Sequence, residues 1–423
     1  MQLVVSHPTG NTFVKAIIES LWREGMLSEF NTSLAIDSNS YFLNLMPEVL
    51  KGELRRRSFP IPLDKISSNP SREILRLLLP KIGLKRYIQD EKSIAGIDAV
   101  YKKLDHDTAK RLSFIVRKNT VDAVYAYEDG ALETFRKAKE LGLKCIYDLP
   151  IAYWEYGRAL MKAEADRLPE WAITFKGGIH DSQEKLERKV SELELADMVV
   201  VPGGFVMDSL PDWSKKKVVH IAPFGSPTIT DLGNRFENQM NPNSRLRVLF
   251  AGSMGQRKGL GDLFAAMNLL NTREIELIVM GSLQAPMDFY RKQFSGFTYE
   301  AGRPHEEVLA LMKTCDVFCL PSIVEGRALV MQEAMSQGLP LIITPNTGGQ
   351  DLIIEGKTGF LVPTSSPQAI ADKLNWFVEN RSEIKEMGIF AQQHAAKYTW
   401  DGYANSITQA IKSNFSVPEL HKF

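Results

Sequence analysis

The chain has 423 residues, 44% hydrophobic and 24% charged, so two or three domains are expected rather than a single core. Lysine plus arginine equals aspartate plus glutamate at 51 each, so no global field draws the protein to nucleic acid. Cys145, Cys315 and Cys319 lie in or beside apolar runs, with no His or further Cys at zinc-ligand spacing, and read as free thiols of a reducing compartment.

Leu3-Val4-Val5 opens the chain as a buried strand, with no basic region or long apolar run before it, so no signal peptide is expected. No apolar stretch reaches the roughly 18 residues of a spanning helix. A cytoplasmic protein is the expectation. His7-Pro-Thr-Gly-Asn11 follows as a turn, and Phe13 to Trp22 has helical periodicity. Strand, glycine-bearing turn and helix set that turn at the carboxyl edge of a parallel sheet, where such folds bind ligands.

Residues 51–118 hold 17 Lys/Arg against 8 Asp/Glu, with basic and apolar residues interleaved from Arg55-Arg-Arg57 to Arg86. The segment reads either as a helical insertion with a solvated face or as a basic amphipathic surface. The latter would sit on an anionic membrane, peripheral at its inner face.

Val121 to Tyr127 is a strand candidate, Gly130 to Leu141 a helix, and Cys145-Ile-Tyr147 a further strand that ends at Asp148. Leu160 to Leu168 and Gln183 to Leu195 read as charged helices. Ala196 to Val201 and Val218 to Ala222 are the last strands of the first half. Alternating strands and helices argue for parallel, helix-covered sheets of the α/β class. Residues 223–244 are rich in Pro, Gly, Asn and Ser and form the expected linker between a first domain, 1–222, and a second, 245–399.

The second domain restarts the alternation with the strand Arg247 to Ala251 and a loop, Gly252 to Gln256. Arg257 and Lys258 stand at or before a helix whose apolar face is Leu260, Leu263, Phe264 and Met267. A lysine beside a helix N-terminus suits a diphosphate, adding a point charge to aligned N–H groups. Val317-Phe-Cys-Leu320 is a short strand, Pro321, Ser322 and Gly326 signal a turn, and Arg327 to Gln337 reads as a helix. Glu325 and Glu333 bracket that turn. Eight residues advance an ideal helix by roughly 12 Å, so both acids border one elongated ligand at different points. A helix N-terminus favours phosphate and a carboxylate repels it. A diphosphate flanked by hydroxyl-rich sugars reconciles the two, because carboxylates accept hydrogen bonds from sugar hydroxyls. That ligand is a nucleotide-sugar.

Glu325 and Glu333 match the E-x7-E pattern of retaining glycosyltransferases, and the surrounding residues resemble glycosyltransferase family 4. Phe250-Ala-Gly-Ser-Met-Gly-Gln-Arg-Lys-Gly259 is similar to that family's phosphate-binding loop. Gly338 to Thr344, Gly348-Gly-Gln-Asp351 and Gly356 to Val362 follow in the family's order, so the resemblance covers roughly residues 245–400. It implies the GT-B fold, two Rossmann-like domains facing each other across a cleft. A last helix within 400–423 would return to the first domain.

The resemblance also implies roles. Glu325 contacts the donor sugar and Glu333 the ribose. Backbone N–H groups of Gly326, Arg327, Ala328 and Leu329 hold the distal phosphate, with Arg327 and Ala328 bearing on which sugar fits. Lys258 binds phosphate, and Ser253 stands where the family commonly has an Arg whose charge Arg257 would replace. Ser322 lies on the base or ribose side. Gly281 and Arg303-Pro-His305 border the base, and Gly10 and Asn11 lie across the cleft. Asp148 stands near the place of the family's catalytic His. No metal ligands and no cofactor are expected, the nucleotide-sugar being a substrate. The implied activity is metal-independent, front-face transfer to a glycan or lipid-linked glycan acceptor. A catalytically silent homologue that binds a sugar-nucleotide or a partner protein is the alternative.

Overall fold

Two parallel sheets organise the chain. In the computed structural model, residues 1–37, 52, 54–175, 177–229, 231–233 and 244–415 are described. The first sheet contains β1 (Leu3–Ser6), β2 (Leu27–Thr32), β3 (Ile66–Ser68), β4 (Ala123–Tyr127), β5 (Lys144–Asp148), β6 (Met198–Val201) and β7 (Val218–Ile221). Its spatial order is β3-β2-β1-β4-β5-β6-β7. The second contains β8 (Leu246–Ala251), β9 (Ile275–Met280), β10 (Phe297–Glu300), β11 (Val317–Leu320), β12 (Leu341–Ile343) and β13 (Gly359–Leu361), ordered β10-β9-β8-β11-β12-β13. Val, Ile, Leu and Phe fill the central strands β8, β9 and β11 because helices cover both faces of each sheet.

In each sheet the strand order reverses once among its central strands, between β1 and β4 and between β8 and β11. Chain leaving the carboxyl ends of two such strands diverges to opposite faces and opens a crevice, where α/β proteins bind ligands. The loops after β8 and β11 carry Arg257, Lys258 and Glu325.

The basic stretch is not an appendage. β3 pairs in parallel with β2, Phe30 opposite Ile66. The 22-residue helix Ile97–Lys118 buries Val100, Leu104, Leu112 and Ile115. What stands off the sheet is the helix Ser71–Leu78 with the short turns after it. Residues 51 and 53 of the stretch, 230 and 234–243 of the linker, and the tail 416–423 lie outside the described residues.

Two segments tie the domains together. The last helix, Trp400–Phe415, packs on the helix Thr12–Arg23. There Ser20 donates to Asn405 Oδ1 at 3.1 Å, and Lys412 pairs with Glu24 at 2.7 Å. Its Tyr403, Ala404, Ile407 and Ile411 belong to a first-domain core cluster. The helix Trp154–Arg167 and the 3-10 turn Pro169–Thr174 cross the other way, and Trp171 is buried in the second domain's core.

Candidate active site

β8 ends at Ala251 and the chain turns through Gly252 to Gly255 into a 3-10 turn, Gln256–Lys258, before the helix Leu260–Leu270. β11 ends at Leu320 and a loop leads to the helix Leu329–Ser336. That helix starts two residues later than the periodicity suggests, so Glu325 belongs to the loop and the ideal-helix spacing to Glu333 does not apply. The loop's course is set by its neighbour. Ile323 N–H donates to the Arg257 carbonyl at 2.9 Å, and Arg257 Nη1 donates to the Val324 carbonyl at 3.1 Å. Glu325 Oε1 then meets Arg257 Nη1 at 2.5 Å and Lys258 Nζ at 2.6 Å. Burial lowers the Lys258 pKa, and the Glu325 charge opposes that.

These groups face a cleft of about 590 Å³, within the range of small-molecule sites. Of the expected donor residues, Ser253, Arg257, Lys258, Gly281, Glu325, Arg327, Ala328, Leu329 and Glu333 line it, as does Arg303. Glu333 lies on the helix at the far side, 3.6 Å from His305 Nδ1. Burial raises its carboxyl pKa and the His305 charge counters. The opposite wall comes from the first domain and its linker: Phe13, Pro150 and Phe224, with Phe13 and Phe224 stacked at 5.3 Å. Periodicity could not single out these three. The only sequence signal for them was their nearness to the Gly10 turn, the β5 end and the Pro-Phe-Gly-Ser-Pro linker.

Five expected site residues are not among those lining the cleft. Asp148 is buried at the end of β5 and accepts a hydrogen bond from the Tyr125 hydroxyl at 2.5 Å. Burial pushes its carboxyl up to about 7, with Tyr125 opposing. Asp148 therefore sits inside the first domain and not on the cleft wall. Ser322 is fully buried, and its carbonyl accepts from Thr344 Oγ1 at 2.6 Å. Gly10 is covered by the basic stretch: a Cβ there would lie 2.3 Å from the Arg56 carbonyl oxygen. Asn11 is exposed at the start of the first helix. Gly326 lies where the domains touch, and a Cβ on it would come within 1.7 Å of the Pro150 carbonyl oxygen, so only glycine permits the approach. His7, in the same turn as Gly10, is buried too, which lowers its imidazole pKa to about 4.

Arg327 also departs from expectation. Its guanidinium is directed into the protein, bidentate to Asp351 at 2.7 and 3.0 Å, with Nε on Gln332 Oε1 at 2.9 Å and Nη1 on the Gly348 carbonyl at 3.1 Å. It lies over the Tyr398 ring, 5.0 Å from the centroid. Gln332 in turn donates to the Phe224 carbonyl at 2.8 Å and to Ser226 Oγ at 2.9 Å. Arg327 thus braces the loop and the linker.

Two parallel α/β domains facing each other across this cleft give the GT-B fold, with a cation pair and two acids at the second sheet's switch point. Residues 234–394 match the family model described as glycosyl transferases group 1. The match lies in the second domain and the residues that lead into it. It is 36% identical over 117 residues to the D-inositol 3-phosphate glycosyltransferase of Corynebacterium urealyticum, a stretch spanning 28% of each chain. A namesake from Corynebacterium aurimucosum is 23% identical over 66% of this chain and 70% of its own. Among solved structures, HepE from Anabaena in complex with UDP superposes with a TM-score of 0.61 at 14% identity, covering 98% of this chain and 100% of its own.

Proposed function

We propose that the protein is a retaining glycosyltransferase that moves a sugar from a nucleoside-diphosphate sugar to a hydroxyl of a glycan or lipid-linked glycan. The observation that carries this is the convergence of Arg257, Lys258 and Glu325 in one cleft, with Glu333 further along it. The diphosphate takes Arg257 and Lys258, and Glu325, released from them, accepts hydrogen bonds from the donor sugar. Glu333 accepts from the ribose. The acceptor hydroxyl enters from the Phe13 and Pro150 wall. Its oxygen bonds to the anomeric carbon on the face from which the diphosphate departs. The carbon–phosphate oxygen bond breaks, and the acceptor proton passes to the leaving phosphate oxygen. Fixed cations supply the counter-charge to that leaving group, which makes the transfer metal-independent. A solved structure of HepE with UDP-glucose supports a donor of this type.

The test is incubation with a panel of nucleotide-sugars and candidate acceptors, with and without EDTA. Released nucleoside diphosphate and a product of unchanged anomeric configuration by NMR are expected in both. An inverted product ends the retaining mechanism. Nucleotide binding without turnover on any donor favours the silent homologue.

A second element of the proposal concerns the basic stretch. Ile74, Leu75, Leu78 and Ile82 are exposed, Ile82 by 67%, beside exposed Lys81, Lys85 and Arg86. Apolar side chains ringed by cations fit an anionic membrane surface, where a lipid-linked acceptor would lie. No described helix is long and apolar enough to cross a membrane.

A further inference from the structure

The loop that carries the two cations is held from the other domain. Gln256 immediately precedes Arg257 and is completely buried. Its N–H donates to Thr174 Oγ1 at 3.0 Å, and its Nε2 donates to Glu164 Oε2 at 3.0 Å and to Asp262 Oδ2 at 2.8 Å. Its Oε1 accepts the Gly261 N–H at 2.9 Å, closing the loop onto the first turn of the following helix. Thr174 and Glu164 belong to the first-domain segment that crosses over. Arg167 of that segment donates to both oxygens of Asp262, at 2.8 and 2.9 Å, and Ser365 of the second domain donates to Glu164.

The segment is anchored by Trp171, 2% exposed, with its ring 5.0 Å from Phe289 and 5.9 Å from Phe264. A Cβ on Gly261 would lie 2.6 Å from Gln256 Oε1 and 2.8 Å from Trp171 Cε2, so amide and indole both press on that glycine. Phe175, Met161 and Ala152 also cluster with Ile323 and Val324, the two residues before Glu325. Both arms of the site therefore rest on the same stretch of the first domain. None of the residues Glu164, Thr174 or Gln256 lines the cleft.

We infer that Gln256 is a positioning residue for the donor diphosphate, and that Thr174 and Glu164 of the first domain set its orientation and through it that of Arg257 and Lys258. The inference rests on the donor-site reading above. Its physical basis is that the loop's backbone N–H has its acceptor on the other domain. Removing that acceptor leaves a buried donor unpaired and lets the 3-10 turn drift, and small displacements matter for charge-assisted contacts.

The experiment compares Thr174→Val, which keeps the shape and removes the acceptor, with Thr174→Ser, which keeps the hydroxyl. Each full-length variant is titrated calorimetrically with whichever of UDP, GDP, ADP and TDP binds wild type most tightly, and with the matching monophosphate. Thr174→Val is expected to lose roughly fivefold to tenfold in diphosphate affinity, as for one buried hydrogen bond. Monophosphate affinity should change by less than about twofold, and Thr174→Ser should match wild type within about twofold, on the same scale. A general structural defect would lower both affinities together. Unchanged diphosphate affinity in Thr174→Val, or an equal fall for both ligands, overturns the inference. If Thr174→Val does not fold, Glu164→Met, which removes the acceptor of the Gln256 amide, is read in the same way. Lys258→Ala separates the two levels: if it too binds diphosphate like wild type, the donor-site reading fails. If it alone loses binding, only the role of Gln256 fails.

Discussion

Glu325 Oε1 and Lys258 Nζ lie 2.6 Å apart, and Arg257 Nη1 reaches the same oxygen at 2.5 Å. On the proposed function, the cations that would take the diphosphate are paired here with the acid that would take the sugar. Donor binding would then exchange one anion for another and release Glu325 as the sugar arrives.

That exchange separates two variants. Glu325→Gln removes the internal competitor, so affinity for the free nucleoside diphosphate should hold or rise while transfer is lost. Lys258→Ala should weaken that affinity by roughly tenfold to a hundredfold, the range for a charge-assisted contact. Calorimetry beside a transfer assay checks both. Glu325→Gln losing nucleotide affinity as severely as Lys258→Ala would contradict the exchange.

Arg327→Leu should act on stability. The guanidinium is 0% exposed, and its loss strands Gln332 and one face of Asp351, itself 42% exposed. Exposure of that carboxylate tempers the cost of a broken buried pair, leaving a loss on the order of 2 kcal/mol. Chemical denaturation measures it. A variant with wild-type stability and a changed donor preference would return Arg327 to sugar selection.

Asp148 gives stability a pH dependence of known sign. Its carboxyl rises from 3.8 to about 7 through burial. Across that window the folded protein keeps a proton that the unfolded chain has released, so stability falls as pH rises and levels off above it. Asp148→Asn keeps an acceptor for Tyr125 and removes the ionisation. Its unfolding free energy should gain more over wild type at pH 8 than at pH 5, a difference on the order of a few kcal/mol, read by chemical denaturation at the two pH values. Equal shifts at the two pH values would mean that Asp148 ionises freely.

The exposed face after β3 makes a separate prediction. Wild type should sediment with vesicles containing anionic lipid at low salt and be released by high salt. Replacing Leu75, Leu78 and Ile82 by Gln should abolish sedimentation and leave soluble donor hydrolysis intact. Wild type remaining in the supernatant at low salt would assign that face to solvent.

Much of this architecture was legible before any coordinates. The alternation of apolar runs and helical periods marks both sheets, because parallel strands buried on both faces must be apolar throughout. That Lys258, Glu325 and Glu333 would face one cleft was legible because their side-chain types and spacing fit one elongated ligand. Arg327 was misread for a physical reason. A side chain at a loop–helix junction can turn either way, and here Asp351, 24 residues on, decided it. Asp148 was misread because a carboxylate at a strand's carboxyl end looks alike whether it faces a cleft or, as here, a tyrosine in the core. Trp171 carried no sign of its domain, since a short 3-10 turn has no period from which to read a face.

By itself, the order of residues determined the class of fold, the two-part division and the kinds of charge available to a ligand, since strand and helix patterning are local. Only the tertiary structure decided which charges meet. Arg257 and Glu325 are 68 residues apart along the chain, and they touch because β8 and β11 are neighbours whose following loops share one crevice. Contact at 2.5 Å depends on that adjacency and on the first-domain segment that grips the loop, neither of which any local pattern encodes.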